Sequence, residues 1–173
     1  MPRAMAAAGL VGLLLVVLSD RAAEASGAET RALDRIELDE RGGQVPVARR
    51  EPLMALNRAG RGHRWHRGER RDLRVSPEVF EALLEYIVRE QGFFEIDAET
   101  IQHEIRREAR ARGKHSKVMD ASTTTVRVVA GGREHTVSFY AAGFYARAYP
   151  DVAALRRFVS IVDKIRELGK ELD

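Results

Sequence analysis

The sequence predicts an α+β fold: an antiparallel sheet packed against two amphipathic core helices, with one further charged helix on the surface. Three observations carry this. Two segments, Val79–Val88 and Val152–Leu168, place apolar residues at three- and four-residue spacing. A third, Ser122–Tyr140, alternates apolar and polar residues on both sides of Gly131-Gly132. With 173 residues, 45% of them hydrophobic and 32% charged, the composition is that of one globular domain with a short appendage.

Residues 1–25 form that appendage. Arg3 precedes Ala4–Leu18, a 15-residue run without charge, and Ala23-Glu24-Ala25 follows as a small-x-small pattern. Fifteen residues fall short of the ~20 of a membrane-spanning helix. The expectation is therefore a signal peptide cleaved near Ala25, leaving an exported chain, periplasmic or secreted, with no permanent span. The absence of cysteine excludes disulfides, thiol nucleophiles, Cys-ligated metals and a lipidated cysteine, so a core alone must hold the fold.

From residue 26 to 72 the reading is a strand-rich part of the same domain. Ile36 and Leu38 mark a strand that ends at Arg41-Gly42-Gly43. Val45–Ala48 reads as a strand that Pro46 confines to an edge or a strand start. Leu53–Asn57 and Arg61–His66 read as a hairpin around Arg58-Ala59-Gly60.

Residues 73–173 form a helix–hairpin–helix core. Ser76-Pro77-Glu78 supplies a cap, a first-turn proline and a first-turn acid, and Gly92 closes the helix. Phe93–Ile96 is a short strand or packed connector. Asp97 caps a second helix over Ala98–Arg112, whose apolar stripe is only Ile101, Ile105 and Ala109, so its charged face points to water. Gly113–Met119 reads as a basic loop. In the hairpin Ser122–Ala130 and Arg133–Tyr140, pairing Ala130 with Arg133 sets Val128 opposite His135, Val126 opposite Val137 and Thr124 opposite Phe139. Pro150 and Asp151 then open the last helix.

The order of a capped helix, Gly92-Phe93-Phe94, Asp120-Ala121-Ser122-Thr123-Thr124-Thr125-Val126, a Gly-Gly hairpin and a terminal helix resembles a group of uncharacterised bacterial domains of exported proteins. The resemblance spans roughly Leu73–Leu168. It implies the α+β fold and the exported location, and it carries over no catalytic residue.

Charge falls in blocks. Ser26–Ala48 carries −2, Arg49–Arg74 +6, Val75–Gln102 −6 and His103–Lys117 +4, within a formal net charge of +3. Blocks of opposite sign can satisfy one another, so solvated faces and surface pairs are the plain reading of the arginines. The alternative is a patch for an anionic polymer or surface, formed by Arg61, Arg64, Arg67, Arg70 and Arg71 beside Trp65. One aromatic is too few for a single-stranded nucleic-acid platform, and nucleic acid is not expected.

No constellation points to catalysis or to a cofactor. His63 and His66 would face opposite sides of a strand, without an acid between them and among arginines, which disfavours a metal. His135 reads as a part-buried residue satisfied by a backbone group. No Gly-x-Ser-x-Gly elbow or phosphate loop occurs. Asp120, which reads as a strand-entry residue bonding its own backbone, is the acid to test first if catalysis occurs; a hydrolase is the third-ranked function. The first is a non-enzymatic binding module for a protein or small ligand. Its contact candidates are Tyr140, Phe144, Tyr145 and Tyr149, four aromatics in ten residues that either line a groove or close one end of the core.

Overall fold

The computed structural model describes residues 34–42, 51–113 and 118–171. The leader expected at 1–25 and the strand expected at Val45–Ala48 lie outside them. The architecture is α+β, as the pattern predicts. One six-stranded antiparallel sheet runs in the order β4-β3-β2-β1-β5-β6, from β1 (Arg35–Gly42), β2 (Met54–Asn57), β3 (Arg61–His66), β4 (Glu69–Arg74), β5 (Ser122–Ala130) and β6 (Arg133–Tyr140). The hairpin β5–β6 has the expected register, with Val128 opposite His135, Val126 opposite Val137 and Thr124 opposite Phe139.

Paired residues share a face, so the registers sort every strand. Ile36, Leu38, Met54, Leu56, Leu73, Val126, Val128, Val137 and Phe139 lie on the inner face and are all buried. The outer face carries charge. Arg127 there reaches Glu134 at 2.9 Å and Glu37 at 3.3 Å across two strands.

The helices cover the inner face. In α1 (Pro77–Glu85) the Ser76 hydroxyl accepts from the Val79 amide at 3.4 Å, and Phe80, Leu83 and Leu84 are buried. The helix then widens to one turn of i→i+5 bonding over Tyr86–Glu90, with Gln91 N–H donating to the Tyr86 carbonyl at 3.0 Å. Gly92, at φ +59°, terminates it, and Phe93–Glu95 make a single 3-10 turn, a packed connector and not a strand. In α2 (Ala98–Arg112) the Asp97 carboxylate accepts from the Thr100 amide at 2.7 Å and its hydroxyl at 2.8 Å. Ile101, Ile105 and Ala109 are its buried residues, which is the stripe the sequence predicts. The last helix, α4, spans Ala153–Glu171 and buries Leu155, Phe158, Ile161, Val162 and Ile165. A fully buried Phe or Ile is worth about 1.5–3 kcal/mol, and Phe80, Phe93, Phe158 and Ile161 are at 0% exposure.

Three elements differ from expectation. Glu69–Arg74 is a strand although only Leu73 in it is buried. The tight turn Arg67-Gly68, at φ +50° and +84°, folds it back as an edge, where charged side chains are the usual protection. Ala142–Ala148 forms a short helix, α3, entered through Ala141 at φ +55°. That helix ends at Ala148, capped by Tyr149, and α4 starts three residues after Pro150.

One buried carboxylate ties distant loops. Asp34, 2% exposed, accepts from the Gly131 amide at 2.9 Å and from Arg58 Nη1 at 2.8 Å. Its own carbonyl accepts from the Arg58 amide at 3.1 Å, and Arg58 also pairs with Glu81 of α1. The start of β1, the β2–β3 turn, the β5–β6 turn and the first helix thus meet at one group.

Candidate functional site

The aromatic run is divided by the fold. Phe139 and Tyr140 are consecutive on β6 and face opposite sides, so a site touching both must lie along the sheet edge. Beyond them, Tyr145 of α3 and Tyr149, which caps that helix, stack at 6.2 Å with 19° between the rings. Phe139 meets Tyr145 edge-on at 6.2 Å. The charged helix α2 passes over this edge. Its Ile105 and Ala109, with Phe139, Tyr140, Tyr145 and Tyr149, wall a cleft of about 250 Å³, with Gln102 and Arg106 also lining it.

Its polar groups are few and placed at its margins. The Tyr140 hydroxyl accepts from the Ala121 amide at 3.1 Å and donates to the Val118 carbonyl at 3.4 Å, which fixes a ring that is 39% exposed. Arg106 is exposed and has no ion pair among the described residues.

Phe144 is turned away. It touches Tyr145 edge-on at 5.4 Å but lines a different recess, about 580 Å³, together with Glu40, Thr124, Arg147, Asp163 and Arg166. Three of its four charged residues, Glu40, Asp163 and Arg166, answer one another. Arg166 bridges Glu40 and Asp163, and the Thr124 hydroxyl donates to Glu40 at 3.3 Å.

The arginine segment does not form one patch. Register places Arg61, Trp65 and Arg70 on the outer face of the β3–β4 hairpin, Arg64 and Arg71 on the inner face, and Arg67 in the turn. Arg64 is not a surface residue: it is 7% exposed and donates to the Gly169 carbonyl near the end of α4. A cation there is favourable at the negative end of the helix dipole. Arg70 is held by Glu51 at 3.1 Å and by Asp72. Trp65 is half-buried, and its indole N–H meets no hydrogen-bond partner among the described residues.

The histidines are placed as the pattern implies. His63 and His66 lie on opposite faces of β3. His63 sits 3.3 Å from the Pro52 carbonyl. His135 is part-buried, 2.8 Å from the Ile96 carbonyl and edge-on to Phe93 at 5.3 Å. Among the described residues no group of three or more His, Asp or Glu side chains could hold a metal ion. Asp120 is exposed and holds φ +58°, a region that Asp tolerates better than most residues. Ser138 pairs with Thr125 at 2.9 Å, and Ser160 is exposed on α4.

Tyr140, Tyr145 and Tyr149 are thus brought together with Phe139, which was not among the expected contacts, whereas Gln102, Ile105, Arg106 and Ala109, which complete the cleft from α2, escaped the sequence reading. Their only signal was the thinness of the stripe on Ala98–Arg112: three small or medium apolar residues cannot fill the space over an aromatic edge. Comparison with known proteins finds no matching family model, no similar curated protein and no similar solved structure.

Proposed function

We propose that this chain is a small, non-enzymatic binding module that takes a single ring or short aliphatic chain carrying a carboxylate into the cleft between α2 and the β6–α3 corner. The observation that carries this reading is the composition of the cleft: four aromatic rings and two aliphatic side chains around about 250 Å³, with one unpaired cation, Arg106, beside them. Pockets for small ligands are mostly apolar with a few orienting polar groups. An apolar cavity of roughly 150 Å³ already accepts a benzene ring, so this cleft suits one substituted ring. The accessible rings of Tyr140 and Tyr145 supply contact, and Arg106 supplies orientation.

Export fits this reading. The apolar run Ala4–Leu18 followed by Ala23-Glu24-Ala25 supports release of the domain outside the cytoplasm. Among the described residues no helix is long and apolar enough to cross a membrane.

The test is an amide-shift titration of residues 26–173 with phenylacetate and with its neutral analogue phenylacetamide. Saturable shifts around Ile105, Tyr145 and Tyr149 are expected for both. Arg106→Ala should weaken only the acid, by about tenfold, as for one charge-assisted contact of ~1.5 kcal/mol. Shifts that never saturate, or that appear away from the cleft, would dismiss the reading.

A further inference from the structure

The β3–β4 hairpin carries an arrangement that neither the core nor the cleft explains. Within Arg61–Arg74 there are six arginines against Glu69 and Asp72, and antiparallel pairing sets like charges face to face: Arg61 opposite Arg74, and Arg64 opposite Arg71. Directly opposed like charges destabilise a sheet. Protection of an edge strand requires charge, but of either sign, and mixed signs would protect β4 without that repulsion. The acids near the hairpin are already engaged: Asp72 and Glu51 hold Arg70, and Glu69 stands 3.9 Å from Arg71.

The cations are also spread in a particular way. Arg61, Arg70 and Arg74 line the outer face, Arg67 occupies the turn and Arg71 the inner face, all five exposed. Six residues of strand at ~3.3 Å each extend about 20 Å. A single small anion cannot reach both faces, whereas a flexible chain of charges can pass from the outer-face arginines over Arg67 in the turn to Arg71 on the inner face. Trp65, the one Trp, Tyr or Phe within Arg61–Arg74, is half-buried, and a single ring is too few for a run of stacked bases.

We propose that the tip of the β3–β4 hairpin, centred on Arg67 and Arg71, is a contact site for a flexible polyanion bearing phosphate or sulfate groups. It is independent of the cleft and stands or falls separately. His66 reports on it. On the inner face it has Glu69 opposite and Arg64, Arg67 and Arg71 around it. Loss of hydration, then those three arginines, hold its pKa below the ordinary value, with Glu69 opposing.

The experiment follows the His66 ring signal by NMR through a pH titration of the full chain, alone and with long-chain polyphosphate or inorganic phosphate at equal phosphate concentration. With polyphosphate at ~50 mM salt, the His66 midpoint should rise by about one pH unit, since an added negative charge favours the imidazolium. The shift should fade steeply towards ~200 mM salt. The double variant Arg67→Asn, Arg71→Gln alters two exposed positions and should abolish the shift while leaving the urea midpoint in place. A His66 midpoint unmoved by polyphosphate, or moved equally in the double variant, overturns the site. Equal potency of inorganic phosphate overturns the polymeric ligand. Retention on phosphatidylglycerol vesicles without a response to polyphosphate overturns it in favour of a membrane surface.

Discussion

Asp34→Ala should be among the most damaging single changes outside the apolar core. The carboxylate is 2% exposed and serves two donors, the Gly131 amide at 2.9 Å and Arg58 Nη1 at 2.8 Å. Truncation removes a charge-assisted hydrogen bond, about 1.5–3 kcal/mol, and the bond from the amide of Gly131, an exposed turn residue, whose net loss is ~0.5–1.5 kcal/mol because water can replace the carboxylate. Arg58 is 34% exposed and retains Glu81, so its charge is not orphaned and the total stays below the ~3–5 kcal/mol of a fully buried broken pair. The expected loss is about 3 kcal/mol. Asp34→Asn, which still accepts from Gly131, should lose about half of that. The assay is urea unfolding at unchanged slope, with hydrogen exchange at Gly131 as the local probe. A double-mutant cycle with Arg58→Met should return a coupling above ~1 kcal/mol. If Asp34→Ala costs less than ~0.5 kcal/mol, or leaves Gly131 exchange as slow as before, the junction does not tie these loops and the reasoning is wrong.

Two further outcomes are expected. Asp97→Ala should destabilise by about 1 kcal/mol, the ordinary value of a lost N-cap, with faster exchange at Thr100, while Asp97→Asn should keep most of it; an unchanged urea midpoint in Asp97→Ala would refute the cap. Because the pKa of His66 is lowered from its ordinary 6.5, the unfolded chain takes up that proton first. Stability should therefore be fully present above pH ~6.5 and decline as pH falls towards the lowered folded value. His66→Gln should flatten that part of the pH–stability curve, and an identical curve in the variant would refute the assignment.

The parts of this fold written in short-range pattern are those that the sequence yields. The β5–β6 register follows from strict alternation around Gly131-Gly132, the face of α2 from three apolar residues, and the Asp97 cap from one acid before a helix. What escapes depends on distant partners. Glu69–Arg74 has no apolar alternation and becomes a strand because Arg67-Gly68 can turn and β3 offers an edge. Arg64 looks like its neighbours in a run of arginines, yet the end of a helix more than a hundred positions later buries it. Of the eight residues lining the cleft, Tyr140, Tyr145 and Tyr149 were legible as an aromatic run, and Phe139 only as an inner-face strand residue. The other four come from α2, whose side chains reach the cleft only through the way Phe93–Ile96 and His135 dock that segment beside β6.

The central place of β1 has a consequence for the order of assembly. Its hydrogen-bonding edges are satisfied by β2, which follows soon after, and by β5, where Ile36 meets Val128. A growing chain can form the β1–β4 meander early, but one side of β1 stays open until Ser122–Ala130 has emerged. Closing so long a loop is entropically slow. Any fragment that stops before Ser122 therefore displays an apolar strand with free amides and carbonyls, a template on which a second copy can pair.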